Sequence, residues 1–463
     1  MMKTMYVLLL VMGFVTALDI KQVVFVILSQ GNKYHVNQAK HLLTDILQQS
    51  ESLYKELPVI HLSHVDFPHV GDWTVLPLIP RLSNMHKENS SWIFFLEDRT
   101  TIRLNVLLNI LNKYDPHEEM WIGNALHDNE ATIIHHFAFY ENPKSFKYPN
   151  VASGFAVSAA LLKRLSGRIK ENPPTSDFSI DSSHELALFV WNKGEGQMLR
   201  HESALCNREK PHCAAFPSRF RACDDPIPNS SLYFAVKTCD KYHKDRIPVV
   251  KDTWAKQAKN IHFFSNVKDE SVPTIDLGVP NTEQGHCGKT MAILRYIAKD
   301  IRNDTDTRWI VVADDDTILS VSRFQQLLTC YDDAEDVAVG ERYGYNVHSP
   351  RGYNYITGGG GMVFSRPLLD KLAENGACEC PSLDTPDDMF LGICMAGLGV
   401  SVTHSPFFHQ ARPNDYAPGY LEAQTAVSFH KHWMIDPINV YKKWFEDVDI
   451  NTNTNQNSIH NEL

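Results

Sequence analysis

The sequence predicts an α/β protein made of two tandem Rossmann-like domains, and three observations support this prediction. The chain has 463 residues, which at roughly 100–200 residues per domain is enough for two to four domains. Continuous apolar runs alternate with helical patterns, as in a mainly parallel sheet with helices on both faces. Motifs of the first half also return in the second half in the same order, which indicates that one α/β unit occurs twice.

The first predicted strand of each half is a continuous apolar run. These runs cover residues 23–28 and 233–236, and unbroken apolar segments are typical of strands buried on both faces of a parallel sheet. Apolar residues at helical spacing follow at 36–49 in the first half and at 290–298 in the second half. Each half therefore combines strand-forming and helix-forming sequence, as the fold prediction requires.

The internal repeat is most visible at a strand that ends in acidic residues. Residues 92–100 (WIFFLEDRT) match residues 309–317 (WIVVADDDT) at an offset of 217. Later matches have shorter offsets, and they pair residues 154–165 with 361–372 (offset 207) and residues 184–196 with 387–399 (offset 203). Offsets that decrease in chain order are expected when loops are deleted from one copy of a duplicated unit.

The N-terminus and a cysteine-rich segment divide the chain further. Lys3 precedes an apolar run over residues 5–18, which is short for a bilayer span and, with Ala17 near its end, is typical of a cleaved signal peptide. A buried N-terminal strand or helix is the alternative. The sequence thus predicts five segments: a signal peptide (1–17), an N-terminal domain (18–205), a Cys/Pro-rich linker (206–230), a C-terminal domain (231–447) and a polar tail (448–463).

Several features predict the compartment of the protein. The last four residues, His-Asn-Glu-Leu, are similar to the KDEL-type retrieval signal, which a receptor of the secretory pathway binds. With the signal peptide, this tail predicts a protein of the endoplasmic reticulum lumen. All nine cysteines lie between Cys206 and Cys394, and in this oxidising compartment we expect disulfides with at least one thiol left unpaired. Sequons at Asn89, Asn229 and Asn303 predict N-linked glycans.

The charge and hydropathy of the chain argue against nucleic acid and membranes as general partners, although a local cationic pocket stays open. Lys and Arg number 44 and Asp and Glu number 55, so the formal net charge is 44 − 55 = −11. This balance provides no general attraction to nucleic acid or to an anionic membrane. Apart from the N-terminal run, no apolar segment of the sequence is long enough to span a bilayer, so we expect no transmembrane anchor.

An acidic triplet marks a candidate site in the second half. Residues 314–316 are three aspartates that follow the β-branched run 310–313, and ligands of open α/β sheets bind at the carboxyl ends of strands. Adjacent carboxylates repel each other unless a cation lies between them, and Mg²⁺ or Mn²⁺ prefers oxygen ligands. The triplet therefore predicts a metal-assisted nucleotide-sugar site, with a solvated acidic turn as the alternative.

Three further groups accompany the triplet. Four glycines at 358–361 precede an apolar stretch and would let the backbone approach a ligand closely. Asp388, in the sequence Pro-Asp-Asp, opens a run with helical spacing, where a carboxylate serves as a helix cap or as a general base. Among the late histidines, His409 follows two phenylalanines and is the predicted metal contact; the others are His404, His430 and His432.

From residue 232 to about residue 444, the chain resembles the Fringe-like β-1,3-glycosyltransferases. Four motifs carry this resemblance in order, and they are a first strand with a nucleotide-binding stretch (235–246), a metal-binding DDD strand (311–317), a glycine loop (357–365) and a catalytic carboxylate motif (386–388). The resemblance implies a nucleotide-sugar transferase fold of the A type with the second domain catalytic, Mn²⁺ as cofactor, and inversion at the anomeric carbon.

Residues 408–413 and 428–433 are similar to the branch of this family that adds glucose to O-linked fucose on thrombospondin type 1 repeats. The resemblance implies UDP-glucose as donor and O-fucosylated thrombospondin type 1 repeat proteins as acceptors. It implies Asp388 as the base that takes the proton of the fucose 3-hydroxyl. The other implied site residues are Asp316 and His409 for the metal, and Arg246, Asp314, Asp315, Gly359 and Gly360 for the donor.

The first half lacks this set of residues. Arg99 stands at the position of Asp316, Glu185 at that of Asp388, and the glycine loop is reduced to Ser153-Gly154. We therefore predict that the first half does not bind a UDP–metal complex and instead serves folding or docking of the acceptor protein. Two alternatives for the whole chain stay open, namely transfer of galactose or N-acetylglucosamine instead of glucose, and a lumenal binding protein without catalysis.

Overall fold

The computed structural model describes residues 18–451. The predicted signal peptide (1–17) and the end of the chain from residue 452, including the His-Asn-Glu-Leu tail, lie outside these residues. Between residues 18 and 451, no helix combines the length and the apolar character that a membrane span requires. The described residues form a mixed α/β structure, which confirms the predicted fold class.

The first half and the predicted linker together contain eleven strands and six α-helices within the described residues. The strands are β1 (Val23–Leu28), β2 (Val59–Leu62), β3 (Trp92–Glu97), β4 (Thr100–Ile102), β5 (Trp121–Gly123), β6 (Ala125–Leu126), β7 (Tyr148–Pro149), β8 (Phe155–Ser158), β9 (Phe178–Ser179), β10 (Arg200–His201) and β11 (Ala215–Pro217). The helices are α1 (Lys33–Tyr54), α2 (Ser63–Asp66), α3 (Ile79–His86), α4 (Leu104–Leu111), α5 (Ala159–Glu171) and α6 (Ser182–Trp191).

The second half repeats this alternation. Its strands are β12 (Leu232–Lys237), β13 (Ile261–Ser265), β14 (Thr274–Asp276), β15 (Trp309–Asp314), β16 (Thr317–Leu319), β17 (Ala338–Gly340), β18 (Arg342–Tyr345), β19 (Tyr353–Ile356), β20 (Met362–Ser365), β21 (Thr403–His404) and β22 (Ser428–His430). Its helices are α7 (Ile247–Asp252), α8 (Cys287–Asp300), α9 (Val321–Leu327), α10 (Arg366–Ala373), α11 (Asp387–Gly397), α12 (Pro418–Leu421) and α13 (Pro437–Tyr441).

The two large sheets share one strand arrangement. The order is β10-β5-β8-β3-β1-β2 in the first sheet and β14-β13-β12-β15-β20-β17-β21 in the second. β1 is parallel to β2 and β3, as β12 is to β13 and β15, whereas β8 and β20 run antiparallel to both of their neighbours. The second sheet therefore has the arrangement of the first with one additional edge strand, β14.

Each sheet has a hydrophobic core on both faces. Successive residues of a strand point to opposite faces, so Phe234 and Val236 of β12 pack in one core while Tyr233 and Ala235 pack in the other. A strand buried on both faces needs the unbroken apolar sequence that these strands have. This packing fixes the carboxyl ends of the strands, where the polar side chains are.

The predicted linker is tied to both halves. Within it, β11 pairs antiparallel with β4 of the first half, so this part is structural rather than a free connection. The described residues contain four disulfides and the unpaired, buried thiol of Cys239, as the odd cysteine count predicts. The disulfides are Cys206–Cys213, Cys223–Cys330, Cys287–Cys380 and Cys378–Cys394.

The two halves contact each other through backbone and side chains. β9 of the first half pairs with β18 of the second and forms a small three-stranded sheet in the order β19-β18-β9. The Gln30 side chain bonds both backbone groups of His404, at 2.7 Å to its nitrogen and 3.0 Å to its oxygen. The Trp73 indole donates to Asn354 at 3.0 Å. The carboxyl edge of the first sheet thus lies beside the second half.

Candidate active site

The acidic triplet forms the turn between β15 and β16. Asp314 is the last residue of β15, and its backbone N–H donates to the Thr317 hydroxyl at 3.1 Å. The same hydroxyl donates to the carbonyl of Gly359 at 2.8 Å. One threonine therefore holds the triplet and the glycine loop together, as the sequence motifs require.

Two aspartates and a histidine form a candidate metal site. One ligand atom from each of Asp314, Asp316 and His430 lies within 4.8 Å of the others. His430 reaches this position because β22 pairs antiparallel with β16, with His430 opposite Thr317. Its Nε2 lies 3.0 Å from Asp316, and its Nδ1 donates to the carbonyl of Gln410 at 3.0 Å. A second hydrogen bond of this kind is usual for imidazoles that bind metals.

The charged forms of Asp316 and His430 stabilise each other. Burial favours the neutral carboxyl of Asp316, but the hydrogen bond and charge of His430 and the charge of Arg246 lower its pKa to about 2. Burial likewise opposes a charged His430, yet its bond to Asp316 raises the imidazole pKa. In the absence of a cation, the protein thus provides its own positive charge for this carboxylate.

The geometry does not place His409, the predicted metal contact, beside the aspartates. His409 is fully buried, and burial lowers its pKa to about 4. Its Nδ1 donates to the Ser428 carbonyl at 3.0 Å, and its ring packs on Phe429 and Tyr416. His409 is thus a core residue, and the imidazole that faces the aspartates belongs to His430.

Arg246 and Asp315 form a pair beside the metal cluster. The Arg246 guanidinium lies 2.7 Å from Asp315 and 3.0 Å from Asp316, and it stacks on the ring of Tyr242 at 3.7 Å. Asp315 also accepts a hydrogen bond from the Thr238 hydroxyl at 2.6 Å. Burial raises the pKa of Asp315 to about 6. Because its oxygens are engaged by protein groups, Asp315 positions Arg246 rather than facing an open site.

Lys237 lies in the predicted nucleotide-binding stretch (235–246), but the sequence assigned no role to it. It ends β12, and its ammonium lies 2.6 Å from Asp387 and 3.2 Å from Asp314. Although burial opposes ionisation of Asp387, Lys237 and a 2.6 Å bond from the Thr290 hydroxyl lower its pKa to about 2. A lysine at the end of a buried apolar strand was the available sequence signal. Lys237 connects the acidic triplet to the start of α11.

Asp388 has a different environment from its neighbour. Its carboxylate accepts the backbone N–H of Met389 at 2.7 Å and lies 3.5 Å from the backbone nitrogen of Gly358. Burial, followed by the negative charge of Asp387, raises the pKa of Asp388 to about 6. The side chain remains partly exposed. A carboxylate with this pKa accepts a proton near neutral pH, as a general base must.

The glycine loop packs closely against the histidine and its support. A Cβ added to Gly359 would lie 2.3 Å from the His430 ring, so the ring fits because residue 359 is glycine. The Gly360 backbone N–H donates to the Gln410 side chain at 2.9 Å. The backbone N–H of Gln410 donates in turn to Glu341. The loop, the histidine and Glu341 therefore form one connected network.

The corresponding positions of the first half have other residues. Arg99 stands where Asp316 does, and it pairs with Glu97 at 2.7 Å. β4 pairs with β11 as β16 pairs with β22, and the residue opposite Thr100 is Pro217 instead of a histidine. Both the third aspartate and the imidazole of the candidate metal site are thus replaced there.

Known proteins resemble the chain over most of its length. The Fringe-like family model matches residues 77–185 and 227–454, and so includes parts of both halves. A human β-1,3-glucosyltransferase is 50% identical over 434 residues, which cover 93% of this chain and 86% of that protein. A mouse β-1,3-glucosyltransferase is 48% identical, covering 92% and 87%. A chicken β-1,3-N-acetylglucosaminyltransferase, lunatic fringe, is 29% identical, covering 41% and 58%.

The α/β sheet with acidic residues at a strand end, together with these relatives, defines a glycosyltransferase that uses a nucleotide-sugar donor. The fold alone does not define the reaction, because one fold supports many activities. The chain belongs to the Fringe-like family.

Proposed function

We propose that this chain is an inverting β-1,3-glucosyltransferase that moves glucose from UDP-glucose to the 3-hydroxyl of O-linked fucose on thrombospondin type 1 repeats. The observation that carries this proposal is the placement of Asp388, a partly exposed carboxylate whose pKa is raised to about 6, next to the glycine loop. The names of the human and mouse relatives support glucose as the transferred sugar.

Asp388 acts as the base in one displacement. It takes the proton of the fucose 3-hydroxyl while that oxygen forms a bond to the anomeric carbon of glucose and the bond from this carbon to the UDP oxygen breaks. Attack from the face opposite the leaving group inverts the anomeric carbon, so no covalent nucleophile is needed. Asp387 stays ionised through Lys237 and keeps a negative charge beside Asp388, which favours proton uptake.

The donor set at Asp314, Asp316 and His430 fits Mn²⁺. Two carboxylates and one imidazole are ligands that this ion accepts, and the Nδ1 bond to Gln410 leaves Nε2 of His430 directed at the site. When bound, Mn²⁺ supplies Lewis-acid stabilisation of the charge on the departing diphosphate. Arg246 contributes a further positive charge beside Asp316. Gly359 and Gly360 bring backbone close to the donor.

The proposed site of action is the lumen of the endoplasmic reticulum. The predicted signal peptide and the His-Asn-Glu-Leu tail support this location, and the tail would be bound by a KDEL-type retrieval receptor. The four disulfides agree with an oxidising compartment.

The test is donor use by the purified mature chain. UDP-glucose, UDP-galactose and UDP-N-acetylglucosamine are supplied separately with Mn²⁺ and an O-fucosylated thrombospondin type 1 repeat, and the product is identified by mass spectrometry. We expect transfer of glucose, with β-1,3 linkage established by NMR. Transfer of N-acetylglucosamine, the reaction in the name of the Fringe relatives, would keep the mechanism and refute the donor. Failure with every donor, from a folded protein, would favour the lumenal binding protein.

A further inference from the structure

We propose that a row of aromatic side chains shared by the two halves binds apolar side chains of the acceptor polypeptide, close to the residue that carries the fucose. This aromatic row consists of Phe178 on β9, Tyr345 on β18 and Tyr353 on β19. Its first member belongs to the first half, and the other two belong to the second half. The proposal rests on the proposed function, because it concerns the acceptor of that reaction.

Strand pairing places the three rings on one face of the small sheet β19-β18-β9. Tyr345 lies directly opposite Phe178 in one strand pair and directly opposite Tyr353 in the other. Side chains that are directly opposite in antiparallel strands point to the same face. The centroid of the Tyr345 ring is 5.2 Å from that of Phe178 and 5.5 Å from that of Tyr353. The three rings therefore form a continuous surface.

The inner end of the aromatic row adjoins the candidate base. Tyr355 is two residues from Tyr353 and so points to the same face, with the two ring centroids 6.4 Å apart. Helix α11, which begins with Asp387 and Asp388, packs on Tyr355, since a Cβ added to Gly392 would lie 2.5 Å from the Cβ of Tyr355. Burial, followed by the charge of Asp388, raises the pKa of Tyr355. The row is thus continuous with the candidate active site.

The side chains of this face become more exposed with distance from α11. Tyr355 is 4% exposed, Tyr353 and Tyr345 are half-buried, and Phe178 is 39% exposed. Single exposed apolar side chains are common on protein surfaces. A contiguous group of exposed aromatic rings is less common and is typical of surfaces that contact another protein.

Backbone contacts hold the outer end of the row in place. The backbone N–H of Asn346 donates to the carbonyl of Asp177 at 2.6 Å, and the Ser176 hydroxyl donates to the carbonyl of Phe178 at 2.6 Å. Because β9 is also paired with β18, the backbone of Phe178 is fixed although its ring is exposed. A side chain that is already ordered loses little conformational entropy when a partner binds.

The chemistry of the proposed reaction identifies the partner. The accepting hydroxyl belongs to a fucose that is linked directly to a side chain of the acceptor, so one sugar ring separates Asp388 from the polypeptide. The polypeptide must therefore lie over the surface next to Asp388, and the aromatic row is part of that surface. Its rings offer apolar contact area at low entropic cost, which suits the apolar side chains beside the fucosylated residue.

Transfer kinetics of the full mature chain test the proposal, with Mn²⁺, the donor that the parent uses and an O-fucosylated thrombospondin type 1 repeat. We expect Phe178→Ala and Tyr345→Ala each to raise KM for this acceptor roughly 5–20-fold with little change in kcat, because the lost contacts are the same in the bound and transition states. Phe178→Tyr, which keeps an aromatic ring, should have the KM of the parent. The unmodified repeat should inhibit the parent competitively and inhibit both alanine variants more weakly.

Phe137→Ala is the matched control, because Phe137 is another exposed phenylalanine of the first half (47%) and is not in the row. It should leave KM unchanged, and donor binding by calorimetry should be the same in all variants. The proposal is overturned if the folded alanine variants keep the KM of the parent, if they lower kcat instead, or if the unmodified repeat does not inhibit.

A parent chain that uses no fucosylated acceptor would refute the proposed function itself, which distinguishes that failure from failure of the aromatic row alone. Tyr345 is half-buried, so Tyr345→Ala is the variant at greater risk of misfolding. Phe178→Ala, at the more exposed end of the row, remains decisive in that case.

Discussion

The two halves of this chain share one sheet arrangement, but between residues 18 and 451 only the second half brings two aspartates and a histidine together at its acidic strand end. At the end of β15 the carboxylate of Asp316 faces His430, whereas at the end of β3 the guanidinium of Arg99 pairs with Glu97. The strand opposite carries Pro217 in the first half. The two halves therefore differ in a few residues at the strand ends, whereas their buried strand residues form the same sheet arrangement.

The glycine loop shows that these differences are linked. The Thr317 hydroxyl donates to the carbonyl of Gly359, and the Thr100 hydroxyl donates to that of Ala152 at 3.0 Å. Glycine is required at 359 because a Cβ would meet the His430 ring. Once proline replaces the histidine, alanine fits. A different residue at the histidine position thus removes the steric constraint on the neighbouring loop residue.

Substitution of the candidate base Asp388 should have the largest effect on the transfer rate. We expect Asp388→Asn to lower kcat by roughly 10²–10⁴-fold, because the amide does not accept the proton. Glu185→Gln, at the equivalent position of the first half, should keep transfer within about twofold of the parent. Steady-state transfer to a fucosylated acceptor measures both.

Binding of UDP-glucose by calorimetry is the control for Asp388→Asn, and it should be unchanged. If Asp388→Asn keeps near-normal turnover, the assignment of Asp388 as the general base is wrong. A large loss in Glu185→Gln would give the first half a part in catalysis.

The second prediction exchanges residues between the candidate metal site and its remnant. Asp316→Arg should abolish binding of Mn²⁺ and lower the rate by about 10²–10³-fold, because several kcal/mol of charge stabilisation are lost. Arg99→Asp should not create a second site, since Pro217 stands at the histidine position. Calorimetric titration with Mn²⁺ should give one ion per parent chain, none for Asp316→Arg and one for Arg99→Asp. Two ions in the last variant would contradict this comparison.

The third prediction concerns the glycine loop. Gly359→Ala should displace the His430 ring and weaken Mn²⁺ binding by about 10–100-fold, as loss of a supporting contact does in other metal sites. Ala152→Gly in the first half should leave Mn²⁺ binding unchanged and cost at most about 1 kcal/mol of stability. Unaltered metal affinity in Gly359→Ala would show that His430 does not bind the metal.

The pH dependence should show the smallest effect. Asp388 must be ionised to accept a proton, and its pKa is raised to about 6, so kcat should be level above pH 7 and about tenfold lower at pH 5. Asp316 and Asp387 have pKa values of about 2 and stay ionised there. Asp315 also titrates near 6, but its protonation acts through Arg246 on donor binding. Measuring kcat at saturating donor separates the two, and a kcat independent of pH would contradict the assignment.

The sequence predicted the features that depend on local pattern. Buried parallel strands appear as unbroken apolar runs, and the strand β15 with its acidic end was therefore identified together with its repeat in the first half. The candidate base was found at the start of α11 for the same reason, because a helix start has a local signature. The mixed α/β class follows from these elements.

Features that depend on distant pairing were missed. Both His409 and His430 are far from the triplet in sequence, and only the pairing of β22 with β16 decides which one faces it. The linker cysteines indicated that this segment could be tied down, but the pairing of β11 with β4 was not predicted because the Pro/Cys-rich composition hides a strand. The space between the halves that residues 97–99 and 341–343 line has no sequence pattern, since separate segments of both halves form its wall.

The short strand β9 has a consequence for biosynthesis. Ribosomes complete the first half before β18 exists, and domains generally begin folding in that order. During this interval β9 lacks its partner strand. Any substitution that delays folding of the second half prolongs the exposure of this strand and lowers the yield of folded protein, even when it changes no residue of the candidate site.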